Sequence, residues 1–316
     1  MATAPSRPEE TERADPSPTR SVSSGLVRFP TEQLTGLARA ARPRQWVKNG
    51  LVFAAPLSAG VMPEALGRSL AAFVLFCVAA SGTYLLNDVR DRHADREHER
   101  KRHRPLASGT LGVPLALATG GTLLGIALTA AYPVGGPWLL AILVGYLGLT
   151  SLYTFWLKHL AICDIVAVAG CHVLRALAGA AVAAVPASSW FLIVVSLSAL
   201  LVVTGKRETE LGGTSGHTAR SALAAYTVSY LAQVRSMASA AVIVTYCLWA
   251  LEHHSGAALA LHGASIVPFI MAILRYNLLV SRGAGEEPEE IALRDRAMQV
   301  FLATLMVLVS LGIYVV

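Results

Sequence analysis

Charge is in short supply in this chain. Asp, Glu, Lys and Arg make up 15% of its 316 residues, against roughly a quarter in an average soluble domain. With 54% hydrophobic residues and a mean hydropathy of +0.54, that shortage excludes an ordinary water-soluble domain and defines a polytopic membrane protein. Cysteine is scarce too. Cys77, Cys163, Cys171 and Cys247 form no CxxC pair, so no zinc or disulfide framework is expected and the four read as small buried residues. Acids are outnumbered by bases, for a formal charge of +6. The basic clusters lie between apolar runs, so the surplus suits anionic lipid headgroups and gives no argument for nucleic acid. Residues 1 to about 38 contain no apolar run able to form the core of a signal peptide and are rich in Pro, Ser, Thr, Glu and Arg. A disordered cytoplasmic tail is expected there, with 39–316 as one membrane domain. No short-period repeat and no second soluble domain is visible.

Long apolar runs are what remains. Windows able to cross about 30 Å of hydrocarbon occur at Trp46 to Met62, Leu70 to Leu86, Gly112 to Tyr132, Pro137 to Leu157 and Ala161 to Ala184. Others follow at Trp190 to Thr204, Gln233 to Leu251, Ala257 to Val280 and Ala297 to Val316. The expected architecture is all-α, with nine transmembrane helices. Charge sorts the loops consistently with an odd count. Arg90 to Arg104, Lys158, Lys206, Arg207, Arg220 and Arg282 to Arg296 fall on the side of the N-terminus, while the opposite loops hold Arg68 as their clear cation. The positive-inside rule then places the N-terminus and the charged loops in the cytoplasm and the C-terminus outside.

The second window runs straight into Asn87, Asp88, Val89, Arg90, Asp91, Arg92, His93, Ala94 and Asp95. If that helix continues past the membrane, the offsets of three and seven from Asp88 and of four from Asn87 to Asp91 put the four oxygen-bearing side chains on roughly one face. Magnesium takes oxygen ligands, keeps several waters, and is usually held by one or two carboxylates together with substrate phosphates. Asn87 and Asp91 form the best direct pair, with Asp88 and Asp95 as a second pair or outer support. An acidic cluster of this kind beside a dense cationic patch is what a diphosphate-handling enzyme at a membrane surface needs.

The pattern filled by Asn87, Asp88, Asp91 and Asp95 resembles the first aspartate-rich motif of the UbiA superfamily of intramembrane prenyltransferases, which also has nine transmembrane helices. The string from Asn87 to Gly109 looks like the decaprenyl-phosphate phosphoribosyltransferase branch of that superfamily, which serves actinobacterial cell-wall arabinan synthesis. So do Arg42 to Asn49, Tyr153 to His159 and Asp164 to Arg175. The resemblance implies a UbiA-like bundle in the plasma membrane, Mg2+ as cofactor, and catalytic roles for Asp88, Asp91 and Asp95. It implies transfer of 5-phosphoribose from 5-phosphoribosyl 1-diphosphate to a polyprenyl (decaprenyl) phosphate. In one place the chain departs from the wider superfamily. Where a second aspartate-rich motif is usual, after the sixth helix, it reads Gly205, Lys206, Arg207, Glu208, Thr209, Glu210. A Lys–Arg pair can clamp a phosphate directly, which favours a phosphorylated sugar donor. Prenyl transfer from a prenyl diphosphate to an aromatic or quinone-precursor acceptor is the alternative.

Other polar residues are weighed individually. Arg175 lies deep in the fifth window, where an unpaired cation costs at least about 2.5 kcal/mol. It is expected to grip a lipid phosphate or to pair with Asp164 or another helix. Lys48 either snorkels to headgroups or binds phosphate, and Tyr153 could reach a ribose or phosphate oxygen near Lys158 and Asp164. Lys101, Arg102 and Arg104 either close over the diphosphate or serve only as the positive-inside signal. His93, His98 and His103 are scattered around a helix and form no metal face. His253 and His254 are expected on the outer side, and Glu286, Glu287, Glu289 and Glu290 read as solvated loop. Gly121, Gly125 and the run Ala176 to Ala184 suggest close helix packing. A transporter or lipid-binding scaffold is disfavoured, because the charges gather at one mouth instead of crossing the bilayer. Assembly into a homo-oligomer is left open.

Overall fold

The computed structural model describes residues 1, 30–97, 101–213, 221–252 and 255–315, and the described chain contains no β-strand. His98, Arg220, His253 and His254 lie outside the described residues. In chain order the helices are α1 (Pro30–Ala40), α2 (Ala54–Ser58), α3 (Met62–Glu97), α4 (Pro105–Ser108), α5 (Val113–Phe155) and α6 (Cys163–Ala183). They continue with α7 (Ser189–Gly212), α8 (Val228–Glu252), α9 (Gly256–Ser281), α10 (Pro288–Arg294) and α11 (Arg296–Tyr314). Part of the expected tail is therefore helical, since α1 starts at Pro30. It packs Leu37 and Ala40 against Leu85, Leu106, Leu111 and Ala116.

Seven of these helices, rather than nine, are long and apolar enough to cross a membrane among the described residues. Two features account for the difference. The windows expected on either side of Pro133 to Pro137 are joined in α5, where Gly135 and Gly136 leave helical geometry between the two prolines. Gly136 has φ 67 and ψ −162, a conformation open essentially to glycine alone. A straight helix of this length would measure about 65 Å, twice the hydrocarbon thickness, so the kink lets two apolar runs fold separately. The first window is instead a 3₁₀ segment, Pro43–Phe53, followed by the five-residue α2. Pro43 and Pro56, which cannot donate in a helical ladder, bracket this stretch, and its polar Lys48 and Asn49 turn toward partners inside the bundle.

Packing follows the small residues. Gly179 of α6 faces the 3₁₀ segment so closely that a Cβ there would lie 1.9 Å from the carbonyl oxygen of Val52. The neighbouring Ala176, Ala178 and Ala180 are buried too, as expected of a close helix crossing. The expectation for Gly121 and Gly125 is corrected: neither meets anything within 4 Å, and it is Gly120 that packs against Gly82 and Leu86 of α3. A backbone atom cannot step aside as a side chain can, so Gly179→Ala should cost about 1–3 kcal/mol of overpacking. A lowered thermal midpoint in detergent is the expected reading. An unchanged midpoint would mean that the 3₁₀ segment is not fixed against α6.

Of the apolar clusters that result, two are large. Val52, Phe76, Leu139, Leu143, Tyr146 and Val182 join α3, α5 and α6 around the 3₁₀ segment. Leu201, Val242, Tyr246, Phe269, Tyr276 and Ile291 join α7, α8, α9 and α10. At one end of the bundle the Tyr314 hydroxyl of α11 accepts from the backbone N–H of Met62, where α3 begins, at 3.1 Å. At the other end the helices meet through ion pairs. There Asp295 caps α11 by accepting from Met298 N at 2.8 Å and pairs with Arg275 of α9 at 2.7 Å. The hydrogen bond from Arg275 holds the Asp295 carboxyl below its ordinary pKa.

Candidate active site

α3 continues through Glu97 without a break, so the acidic motif is helical as its spacing requires. Packing then divides its acids into two sets. Asp88 and Asp95, seven residues apart, turn inward and are buried. Asp88 accepts from Arg42 at 2.5 Å and from Arg104 at 3.3 Å, and Asp95 accepts from Arg104 at 2.8 Å. Arg104 thus braces the motif from the turn before α4, and Arg42 does so from the link after α1. Asn87 and Asp91, one turn apart, are only half-buried. Among the described residues Asp91 pairs with Lys158, at 3.9 Å, too long for a direct hydrogen bond. Arg90, between the two sets, donates to the carbonyl of Thr154 at 2.8 Å and ties α3 to the end of α5.

The stretch read as the loop after the sixth helix is helical, since α7 extends to Gly212 and buries Thr204, Gly205, Arg207 and Glu208. Its charges need no water because each finds a partner in the bundle. Arg207 donates to Asp164 at 2.7 Å, to Glu210 at 2.7 Å and to the Tyr153 hydroxyl at 3.1 Å. The other Asp164 oxygen accepts from Tyr226 at 2.7 Å. Burial, together with that hydrogen bond, raises the Tyr226 phenol above its usual pKa and keeps it a donor. Glu208 forms a forked pair with Arg235 of α8 at 2.6 and 3.1 Å, and Arg235 also reaches Asn277 of α9. Lys206 is left with Glu210 at 3.9 Å.

Arg175 differs from every other buried cation. It does not pair with Asp164. It donates to the Asn49 oxygen at 2.7 Å, to the carbonyl of Cys171 at 2.9 Å and to the Tyr146 hydroxyl at 3.0 Å. Among the described residues these partners are all neutral, so no acid offsets the guanidinium, which is 4% exposed. His172, one turn from it by sequence, bonds through Nδ1 to the carbonyl of Val168 at 2.8 Å, a structural contact.

Lys48 pairs with Glu289 of α10 at 3.2 Å. The reading of Glu289 as solvated loop is therefore corrected: it is buried, whereas Glu286, Glu287 and Glu290 line an open groove. Arg102 points outward and contacts only His103 among its described partners, at 3.4 Å. Lys101 is half-buried beside it. The structure thus gathers Asn87, Asp88, Asp91, Asp95, Arg104 and Lys158 into one rim, and Tyr153, Asp164 and Arg207 into a second cluster. Arg42, Asn49, Tyr146, Glu208, Tyr226, Arg235 and Glu289 gain roles that sequence reasoning did not assign. Arg235 carried the same signal as Arg175, a cation inside an apolar window, while Glu289 was indistinguishable from its acidic neighbours.

Could the rim hold a divalent cation? No group of three or more His, Cys, Asp or Glu residues is arranged for a metal among the described residues. Magnesium does not require one, because one carboxylate, an amide oxygen, waters and substrate phosphate can suffice. Asn87 and Asp91 fit that donor set, since they are one turn apart and half-open, whereas Asp88 and Asp95 are engaged by arginines.

A bundle of apolar helices with a charged rim at one end, and a buried guanidinium whose described partners are all neutral, marks an integral membrane protein. The chain belongs to the UbiA prenyltransferase family, whose sequence pattern matches residues 50–288. It is 42% identical over 297 residues to the decaprenyl-phosphate phosphoribosyltransferase of Mycobacterium tuberculosis, covering 90% of this chain and 97% of that one. With the protein of the same name from Corynebacterium glutamicum it shares 38% identity, over 94% of this chain and 92% of the relative. Its fold is that of a UbiA homolog from Archaeoglobus fulgidus solved with GPP and Mg2+. That match has a TM-score of 0.68 at 16% identity and covers 87% of this chain and 99% of that one.

Proposed function

We propose that this protein transfers the 5-phosphoribosyl group of 5-phosphoribosyl 1-diphosphate to a polyprenyl phosphate, decaprenyl phosphate in the first instance, releasing diphosphate for cell-wall arabinan synthesis. The observation that carries this reading is the likeness to phosphoribosyltransferases at 38–42% identity along nearly the whole chain. The charge geometry agrees with it. The family's second acidic site is replaced by a segment whose acids serve Arg207 and Arg235, which favours the sugar donor over a prenyl diphosphate.

In this reading the donor diphosphate lies along the rim near Asn87, Asp91, Lys158 and Lys101. The lipid phosphate enters from the bilayer toward Arg175 and Lys206. A magnesium ion held by Asn87 and Asp91 would neutralise charge on the departing diphosphate. A lipid phosphate oxygen bonds to the anomeric carbon while the bond to diphosphate breaks, and diphosphate leaves with the electron pair. The attacking phosphate is already anionic, so no general base is needed, and positioning by Arg175 supplies much of the catalysis. Single displacement inverts the anomeric centre. Nine crossings, with the 3₁₀ segment and the two halves of α5 each counted, would set the rim and N-terminus in the cytoplasm and the C-terminus outside.

The test is made on purified protein offered 5-phosphoribosyl 1-diphosphate with polyprenyl phosphate, or geranyl diphosphate with an aromatic acceptor. Diphosphate release is expected with the first pair and lost on chelation of divalent metal. Turnover of the second pair alone, or full activity after chelation, would overturn the reading.

A further inference from the structure

We propose that Glu289 is a specificity-determining residue of the donor pocket, in which its buried carboxylate oxygen accepts a hydrogen bond from a hydroxyl of the donor's sugar ring. The inference rests on the phosphoribosyl reading above and names the contact by which a sugar donor is distinguished from a prenyl one.

The side chain is held on one side only. Oε1 of Glu289 lies 3.2 Å from Lys48 Nζ, while Oε2 is buried with no hydrogen-bond partner. The residue is 8% exposed. A buried acceptor without a donor costs free energy, and native structures rarely leave one unless a ligand or water completes it. The surroundings narrow what that ligand group can be. Lys48 comes from the 3₁₀ segment, and Lys206 of α7 and Tyr84 of α3 lie within electrostatic range of the same carboxylate. Lys48 suits a phosphate of the donor and Lys206 the incoming lipid phosphate, yet a carboxylate repels phosphate and can receive only a group that donates. Diphosphate oxygens do not donate near neutral pH, and a prenyl chain has no donor at all. Ribose hydroxyls do. One acid beside two lysines therefore matches a substrate that is anionic at its phosphates and hydroxylated between them.

The experiment compares the full-length wild type with Glu289→Met on three donors, each with polyprenyl phosphate: 5-phosphoribosyl 1-diphosphate and its 2-deoxy and 3-deoxy analogues. Wild type should lose about 10- to 100-fold in kcat/KM on one analogue, the scale of a hydrogen bond to a charged group, chiefly through KM. Glu289→Met should lose a similar factor on the natural donor and little more on that analogue, so that the two deletions do not add. Equal use of all three donors by wild type would overturn the proposal with no variant needed. Strictly additive losses in Glu289→Met would overturn it as well. A wild type that releases no diphosphate from the natural donor would refute the phosphoribosyl reading itself, and this inference with it.

Discussion

Asp91→Asn should lower turnover by about a thousandfold and leave the thermal midpoint in detergent where it is in the wild type. The substitution keeps the side chain's shape and removes its charge, so a cation held there in the proposed way would lose its carboxylate ligand. A bound metal supplies several kcal/mol of leaving-group stabilisation, and three decades in rate correspond to about 4 kcal/mol. Stability should barely respond. Among the described residues Asp91 has the 3.9 Å contact with Lys158 to lose, and exposed pairs of this kind are worth about 0–1 kcal/mol. Asp88→Asn is the useful contrast, because it would weaken the hold on both Arg42 and Arg104 and should cost stability as well as rate. Initial rates of diphosphate release at saturating magnesium, set beside melting curves, separate the two. An Asp91→Asn enzyme with half the native rate would remove the cation from this site.

The second large effect is on folding. Arg207→Met should destabilise the protein by about 3–5 kcal/mol, the usual consequence of removing one member of a buried ion pair. Arg207 and Asp164 are both almost completely buried, and without the guanidinium Asp164 and Glu210 would be left as two carboxylates with no shared cation. Asp164→Asn should cost less, since Arg207 keeps Glu210 at 2.7 Å. The double variant Arg207→Met with Asp164→Leu should recover part of the loss, because hydrophobic replacement of both members of a buried pair is often neutral, while Glu210 and Tyr226 each lose a partner. A different result would return Arg207 to the substrate: a variant that melts like the wild type but shows a raised KM for the lipid phosphate would make it a phosphate clamp. Arg175→Met, by comparison, removes no counter-charge and leaves only neutral acceptors unpaired.

Much of this could be read in the order of residues. The apolar windows located α6, α8, α9 and α11 to within a few positions and marked the middle of the longer α3, because a helix that must satisfy its own backbone in lipid leaves a long uninterrupted signature. The acidic motif was placed on a helix by its offsets, and α3 does run to Glu97. The first window failed as a helix for a reason also local: prolines and polar residues shift Pro43–Phe53 into a tighter winding.

The order of residues was enough for the class of molecule, the position of most of its long helices and the presence of acids and bases at one mouth. Tertiary structure alone decided which of those charges are already spent. Arg175 and Arg207 look alike as cations among apolar residues. Packing gives Arg207 two acids and gives Arg175 an amide from a segment 126 residues away. Glu289 stood in a string of glutamates, and only the approach of the 3₁₀ segment singled it out by bringing Lys48 to one of its oxygens. Helix formation is governed by neighbours along the chain, whereas the compensation of a buried charge depends on a partner a few ångströms away in space.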